Sequence, residues 1–191
     1  GAFAAARAWF GFLPGGLAVA TVFATAGFAA VSGASTATAA VFSRVAIPEM
    51  LKYGYQRRLA AGVVAAGGTL ASLIPPSAIL VIYAIIVEES VGALLLAGFI
   101  PGGISALVYA GVIVFRCWKW PDLGRPIKGI TWGERIKATP GAMPIILVIA
   151  IILGGIYTGW ITPTETGAAG AVVIFILSLL LRIFTGQVMT R

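Results

Sequence analysis

The sequence predicts an all-α integral membrane protein: a polytopic helical bundle with a re-entrant helical hairpin and a broken transmembrane helix. Of its 191 residues, 60% are hydrophobic and only 10% are charged, and the mean hydropathy is +1.04. A soluble domain of this size does not bury so much apolar surface. In addition, the basic residues are grouped between long apolar stretches, and Gly and Pro interrupt one such stretch near its centre.

The composition also excludes several kinds of function. Cys117 is the only cysteine and His is absent, so a disulfide framework, a His/Cys metal site and a His proton relay are excluded. The six acids are spread along the chain, which argues against an enzyme. The net charge of +7 is better explained by the positive-inside rule than by a nucleic-acid partner. The chain begins with Gly and without a signal-peptide pattern, so we expect a fragment or a processed piece of a longer protein.

The basic residues predict the topology. The 13 Lys and Arg form four groups, at Arg7 and within 44–58, 116–137 and 182–191. If all four groups lie on the cytoplasmic side, each intervening apolar stretch must leave that side and return. The interval 59–115 fits as a broken helix, Leu59 to Ile86, and a return helix, Gly92 to Phe115, joined by the acidic segment "VEES".

The remaining intervals complete the predicted organisation. Thr139 to Trp160 and Glu165 to Leu181 form two further spans that turn at "ITPTET". The chain then divides into a hairpin with a cytoplasmic interfacial helix (1–58), the broken and return helices (59–115), a basic cytoplasmic loop (116–138) and two transmembrane helices (139–191).

The hairpin is predicted from two arms of unequal length. Pro14 to Val31 is followed by "SGAS" and by the arm Thr36 to Ile47, whose dozen residues are too few to cross a bilayer at about 1.5 Å per residue. We therefore expect a re-entrant hairpin, with a separate interfacial helix that starts near Glu49. The start of the second arm would present free N–H groups and a positive dipole, so an anionic ligand or a loop coordinating a cation would suit this tip. The candidate substrate-binding residues are Ser32, Gly33, Ser35, Thr36 and Thr38. The alternative is that these small residues only pack helices closely.

The broken helix is predicted from its length and its breakers. Leu59 to Ile86 would be roughly 42 Å long as a straight helix, more than the bilayer core requires. Gly67-Gly68 and the structural breakers Pro75 and Pro76 would unwind it, and the freed carbonyls and hydroxyls suit a hard cation such as Na⁺. The candidate Na⁺ ligands are Ser32, Gly67, Gly68, Thr69 and Ser72, and no other metal is expected. The alternative is a structural kink.

One acidic residue lies close to an apolar span. Glu165 follows Thr164 and Pro163, a sequence typical of a helix start, where the positive end of the dipole favours a carboxylate. A gating or ion-linked role is the alternative.

Four segments resemble a known family. They are "VSGASTATAAVFSRVAIPEMLKYGY", "AAGGTLASLIPPSAILVIYA", "LLLAGFIPGG" and "GGIYTGWITPTETGAAGA". In this order they are similar to the large membrane subunit, DctM type, of tripartite ATP-independent periplasmic (TRAP) transporters. The resemblance covers nearly the whole chain but only the first of the two repeats of such a subunit.

The resemblance implies an elevator-type transporter in the bacterial inner membrane, with several spans in the lipid bilayer. It implies a small membrane subunit of DctQ type and a periplasmic solute-binding protein of DctP type as partners. It implies import of a carboxylate, such as a C4-dicarboxylate, a 2-oxo acid or a sugar acid like sialic acid, driven by Na⁺ without ATP or another cofactor. By position, Ser32 to Thr38 matches the tip of the first hairpin and Gly67 to Ser77 the first broken helix.

Two other functions stay open at this point. A channel-like or structural membrane subunit would use the hairpin and the broken helix to line a passive pore. Another elevator-type carrier would need no binding protein. Coupling of uptake to Na⁺ distinguishes a transporter from a passive pore. Dependence of uptake on a binding protein distinguishes a TRAP transporter from another elevator-type carrier.

Overall fold

The computed structural model describes residues 8–126 and scattered positions between 133 and 175. Over residues 8–126 the chain is helical and contains no strand. The helices that follow a short helical end at 8–10 are α1 (Gly16–Ser32), α2 (Ser35–Lys52), α3 (Arg57–Leu70), α4 (Ala78–Ile86), α5 (Val91–Lys119) and a 3-10 turn (Pro121–Leu123). The two spans predicted within 139–191, and most of the basic loop, lie outside the described residues.

Helices α1 and α2 form a helical hairpin that turns within the predicted segment. Gly33 ends α1 with a φ of 61° and donates its N–H to the Ala29 carbonyl oxygen at 2.9 Å. A left-handed φ of this kind favours glycine at the end of a helix. Ala34 is extended, and α2 begins at Ser35. That the hairpin is re-entrant stays a prediction.

The second arm is longer than the sequence suggested. Helix α2 runs through Pro48 to Lys52 without interruption, so the expectation of a separate interfacial helix near Glu49 is wrong. A proline inside a helix costs about 3 kcal/mol. Here Ala46 and Met50, on either side of Pro48, are fully buried, and their packing holds the helix together across the proline.

The predicted broken helix is interrupted at Pro75 and Pro76, as expected. The other expected breaker, Gly67-Gly68, is helical. Helix α3 ends at Leu70, and α4 begins at Ala78. Gly67 and Gly68 lie inside α3, contrary to the expected unwinding. Both are buried, and a Cβ on Gly67 would overlap the Thr25 side chain of α1. These glycines therefore allow close helix packing rather than unwinding.

The irregular chain between α3 and α4 is enclosed by protein. Ser77 caps α4: its Oγ donates to the Ser72 carbonyl oxygen at 2.9 Å and accepts from the Leu80 N–H at 3.4 Å. Gly98 of α5 lies directly against the Leu73 carbonyl. Since lipid cannot satisfy backbone polar groups, such a break at membrane depth needs this enclosure.

Substituting Val for Gly98 is expected to destabilise the fold by about 1–3 kcal/mol, the usual result of overpacking. A Cβ at Gly98 would lie 2.6 Å from the Leu73 carbonyl oxygen and 2.7 Å from the Leu80 side chain. At Gly103 on the same helix a Cβ would meet nothing within 4 Å, so Gly103→Val is the matched control. Thermal unfolding in detergent measures both. Equal melting temperatures for the two variants would contradict the packing of α5 on the break.

Helix α5 is apolar and largely uncovered by the described residues. Its 29 residues correspond to roughly 43 Å, and it is the one helix of the described residues that is long and apolar enough to cross a membrane. Only 22% of its apolar 18-residue stretch is buried by the described residues, whereas the core helix of a soluble protein would be mostly covered. The side of α5 that is buried carries Gly98, Gly102, Ala106 and Ala110, so small residues face the protein.

One arginine from each of the two basic groups that flank α3 to α5 lines a common cavity. Arg58, at the start of α3, and Arg116, near the end of α5, line the same cavity. The end of α5 therefore lies near the start of α3, and that this side is cytoplasmic stays a prediction.

Candidate functional site

The hairpin tip is in direct contact with the break, the irregular segment between α3 and α4. The Ala78 N–H, at the start of α4, points to the Gly33 carbonyl oxygen at 3.4 Å. A Cβ on Gly33 would overlap the Pro76 carbonyl oxygen. The Pro75-Pro76 peptide is cis, and Pro75 is fully buried. The two features that the sequence singled out separately thus form one structural unit.

The end of α3 lies beside the beginning of α2. A Cβ on Gly68 would be 3.1 Å from Ala39 Cβ and 3.4 Å from the Ser35 carbonyl oxygen. Because Gly68 has no side chain, the two backbones approach closely here. The structure therefore places Ser35 of the tip next to the predicted Na⁺ residue Gly68, whereas Gly67 contacts Thr25 of α1.

The hydroxyl groups of the tip form a short chain of hydrogen bonds. The Thr38 hydroxyl donates to the Ala34 carbonyl oxygen at 2.9 Å, and the oxygens of Ser32 and Thr38 are 3.0 Å apart. Since Thr38 has only one hydroxyl hydrogen, Ser32 must be the donor to Thr38. Thr38 is fully buried and braces the turn, whereas the lone pairs of Ser32 stay available to a ligand.

The N-terminus of α2 offers backbone donors at the tip. The first hydrogen bond of its backbone runs from the Thr38 N–H to the Ala34 carbonyl, so the amides of Ser35, Thr36 and Ala37 have no partner within the helix. Ala34 supplies no side-chain cap, and Thr36 is exposed. This arrangement, with the positive end of the helix dipole, favours an anion.

Thr69 is placed differently from the other candidates. Its hydroxyl donates to the Ala66 carbonyl oxygen at 2.7 Å and lies 3.1 Å from the Tyr109 hydroxyl of α5. The side chain of Thr69 therefore faces α5, and the structure does not bring it to the tip. Its carbonyl oxygen accepts from the Ser72 N–H at 3.0 Å, and the Ala71 N–H is also directed at it.

The candidate ligands at the break are neutral oxygens. The carbonyls of Gly68, Thr69 and Leu70 each accept a turn hydrogen bond, and the Ser72 carbonyl accepts from Ser77. Residues 8–126 and the scattered described positions contain no cluster of three His, Cys, Asp or Glu that could hold a metal ion. A cation at this place would be held by uncharged oxygen atoms, which suits a hard monovalent ion.

Two residues of the site were not singled out by sequence reasoning. Ser77 had a recognisable signal, because a Ser just before an apolar run is a typical helix cap. Tyr109 had none, since its pairing with Thr69 joins positions 40 residues apart. Of the predicted gating residues, Thr164 lies outside the described residues and Glu165 is an exposed residue at a turn.

The base of the hairpin is closed around Tyr55, in the loop between α2 and α3. The Tyr55 hydroxyl accepts from the Leu17 N–H at 3.1 Å and donates to the Arg125 carbonyl oxygen at 3.3 Å. The Gly15 N–H also donates to the Gly124 carbonyl oxygen at 3.2 Å. The start of α1, the loop after α2 and the segment after α5 thus meet at one buried residue, which we call the Tyr55 clasp.

Replacing Tyr55 with Phe is expected to destabilise the fold by about 1–3 kcal/mol, because it leaves the Leu17 N–H unpaired in a buried position. Leu17 is fully buried, so water cannot easily take the place of the hydroxyl. Chemical or thermal unfolding of the detergent-solubilised protein measures the change. Tyr83→Phe is the control, since Tyr83 is 54% exposed. Equal losses in both variants would mean that the clasp contributes nothing.

The Tyr55 clasp also predicts a pH dependence of stability. Burial raises the pKa of Tyr55 to about 12, whereas an unfolded tyrosine has a pKa of about 10. Between these values the unfolded state binds fewer protons than the folded state, so stability falls as pH rises from about 10 to about 12. Below that window the clasp contributes fully. The slope should be weaker in Tyr55→Phe, and an unchanged slope would contradict the assignment.

Comparisons with known proteins agree on one family. Residues 2–190 match the family model described as the DctM component of the tripartite ATP-independent periplasmic transporter. The chain is 43% identical over 169 residues to the C4-dicarboxylate TRAP transporter large permease protein DctM of Pseudomonas aeruginosa, covering 87% of this chain and 39% of that protein.

Relatives named for other solutes also match most of the chain. The ectoine TRAP transporter large permease protein TeaC of Halomonas elongata is 35% identical, covering 85% of this chain and 38% of that protein. The sialic acid TRAP transporter large permease protein SiaM of Vibrio cholerae is 32% identical, covering 87% of this chain and 38% of that protein. The chain spans about two fifths of the length of these relatives.

Proposed function

Because the chain belongs to the DctM family of tripartite ATP-independent periplasmic transporter components, we propose that it forms part of a Na⁺-coupled permease that imports a carboxylate-bearing solute. The observation that carries the proposal is the contact between the hairpin tip and the break, at Gly33, Pro76 and Ala78. In this contact, uncharged oxygen atoms and unpaired helix amides lie close together.

The oxygen atoms and the helix amides are suited to different ligands. The hydroxyl of Ser32 and the carbonyls of Ser35, Gly68 and Thr69 are suited to Na⁺, since hard cations prefer oxygen ligands. The amides at the start of α2, with Thr36 exposed beside them, are suited to the carboxylate. A bound Na⁺ near this helix start adds positive charge, which favours binding of the anion. This proximity gives a physical basis for coupling the ion to the solute.

The proposed transport cycle is of the elevator type. The hairpin, the broken helix and α5 would move together, and Na⁺ and solute would favour the state that binds both. A small membrane subunit of DctQ type and a soluble binding protein of DctP type are the proposed partners, and the bacterial inner membrane is the proposed location. The relatives named for C4-dicarboxylates, ectoine and sialic acid support a solute with a carboxyl group.

Uptake into proteoliposomes tests the proposal. The full-length permease that contains this chain is reconstituted with its small subunit, and a panel of labelled carboxylates and one sulfonate is offered with and without an inward Na⁺ gradient and the binding protein. We expect saturable uptake of a carboxylate that requires both. Uptake that needs Na⁺ alone would favour a carrier without a binding protein, and flux that needs neither would favour a pore.

A further inference from the structure

A cavity of about 680 Å³ lies between the first half of α3 and the second half of α5. It is separate from the hairpin tip, because none of the residues that line it belongs to α1, α2 or the break. Its walls are mostly apolar and include Leu59, Val63, Val108 and Val112. We call this cavity the α3–α5 groove.

One end of the α3–α5 groove is cationic. Arg58 of α3 and Arg116 of α5 both line it and are both exposed, and no acidic residue is among the described residues that line it. Trp118 and Trp120, 71% and 50% exposed, follow Arg116 closely. Exposed tryptophans beside arginines mark the level where the membrane meets water. The cationic end therefore lies at the depth of lipid head groups.

The other end of the groove reaches into the hydrocarbon layer. Tyr109 lines it two helical turns before Arg116, which corresponds to roughly 10 Å along α5. Its hydroxyl is already hydrogen-bonded to the Thr69 hydroxyl at 3.1 Å, so an apolar ligand at this end leaves no polar group without a partner. The groove thus combines a cationic mouth at head-group depth with an apolar body below it.

We propose that the α3–α5 groove binds one anionic phospholipid molecule. The phosphate group contacts Arg58 and Arg116, and one acyl chain lies along Leu59, Val63 and Val112. Basic pockets between transmembrane helices on the cytoplasmic side are suited to anionic head groups. A free anion would occupy only the mouth and leave the apolar walls uncovered, whereas a phospholipid matches both parts.

Lipid titration followed by native mass spectrometry tests the head-group contact. The full-length permease is mixed in detergent with phosphatidylglycerol, which is anionic, or with phosphatidylethanolamine, which is zwitterionic. We expect phosphatidylglycerol to bind at least about tenfold more tightly, given the usual contribution of two basic residues near a membrane surface. Arg58→Gln combined with Arg116→Gln should remove that preference. Lys52→Gln combined with Arg57→Gln removes the same charge from exposed residues that do not line the groove. This control variant should retain the preference for phosphatidylglycerol.

A second pair of variants tests the acyl-chain contact. Gly62 lines the groove, and a Cβ there would meet nothing within 4 Å. Gly62→Leu should therefore extend into the groove, exclude the lipid and leave the fold intact. Gly111 on α5 is equally open but does not line the groove, so Gly111→Leu is the control and should retain the lipid. Melting temperatures are compared for all variants.

Three results would overturn the proposal. One is equal loss of phosphatidylglycerol in the double-arginine variant and its charge control, which would indicate general surface charge. Another is unchanged binding in Gly62→Leu, which would mean that the lipid binds outside the groove. The third is displacement of the lipid by inorganic phosphate, which would reduce the site to a simple anion site.

Discussion

The substitution Gly33→Ala is expected to reduce Na⁺-dependent uptake at least about tenfold, which corresponds to roughly 1.4 kcal/mol in the transport barrier. Two effects add together at this position. Gly33 has a φ of 61°, which costs a residue with a side chain roughly 1–2 kcal/mol. In addition, the new Cβ would overlap the Pro76 carbonyl oxygen, so the hairpin tip must move away from the start of α4.

Gly54→Ala separates these two effects. Gly54 also has a positive φ, of 79°, but a Cβ there would meet nothing within 4 Å. The control therefore bears the backbone strain without disturbing the tip, and we expect its uptake to stay within about twofold of the unsubstituted protein, provided that expression is similar. If both variants lost the same activity, the contact between the tip and the break would have no role in transport.

The second large effect is expected for Gly68→Val, which should abolish Na⁺-dependent uptake while the protein still reaches the membrane. A Cβ at this position is already 3.1 Å from Ala39 Cβ and 3.4 Å from the Ser35 carbonyl oxygen. The two methyl groups of valine would push α3 away from α2 by a few tenths of an ångström or more. Oxygen ligands of Na⁺ on the two helices would then be too far apart to share one ion, because cation coordination depends on short distances.

The decisive measurement is the rate of uptake as a function of Na⁺ concentration in proteoliposomes. Gly111→Val on α5 provides the same substitution in a helix, at a position where a Cβ meets nothing within 4 Å. It should retain uptake, with an unchanged Na⁺ dependence. A Gly68→Val variant that kept normal Na⁺ dependence would remove the junction of α2 and α3 from the proposed ion site and leave the hairpin tip as the place to test.

Local sequence signals predicted the positions where the chain turns. Pro75 and Pro76 cannot continue a helix, and the break indeed separates α3 from α4. The acidic residues before the return helix and the basic residues after it predicted a helix from Gly92 to Phe115, and the structure has Val91–Lys119. In each case the physical cause lies within a few residues of the feature, so it can be read from one stretch of sequence.

Features that depend on contacts between distant residues could not be predicted in this way. Pro48 looked like a helix start, but the burial of Ala46 and Met50 keeps α2 continuous across it. Gly67 and Gly68 looked like breakers, but the contact of Gly67 with Thr25 requires glycine inside the helix, and the contact of Gly68 with Ala39 favours it. No local pattern distinguishes these two uses of glycine, because the difference lies in which helix is packed against it.

The Tyr55 clasp has a consequence for the order in which the protein is assembled during synthesis. The Tyr55 hydroxyl bonds to residues 38 positions before it and 70 positions after it. The hairpin base can therefore be completed only after residue 125 has been translated. At about 5–20 residues per second, this takes several seconds after Tyr55 itself has been added. During that interval α3, α4 and α5 are synthesised while the base of the hairpin is still open, and the segment that follows α5 then completes the base.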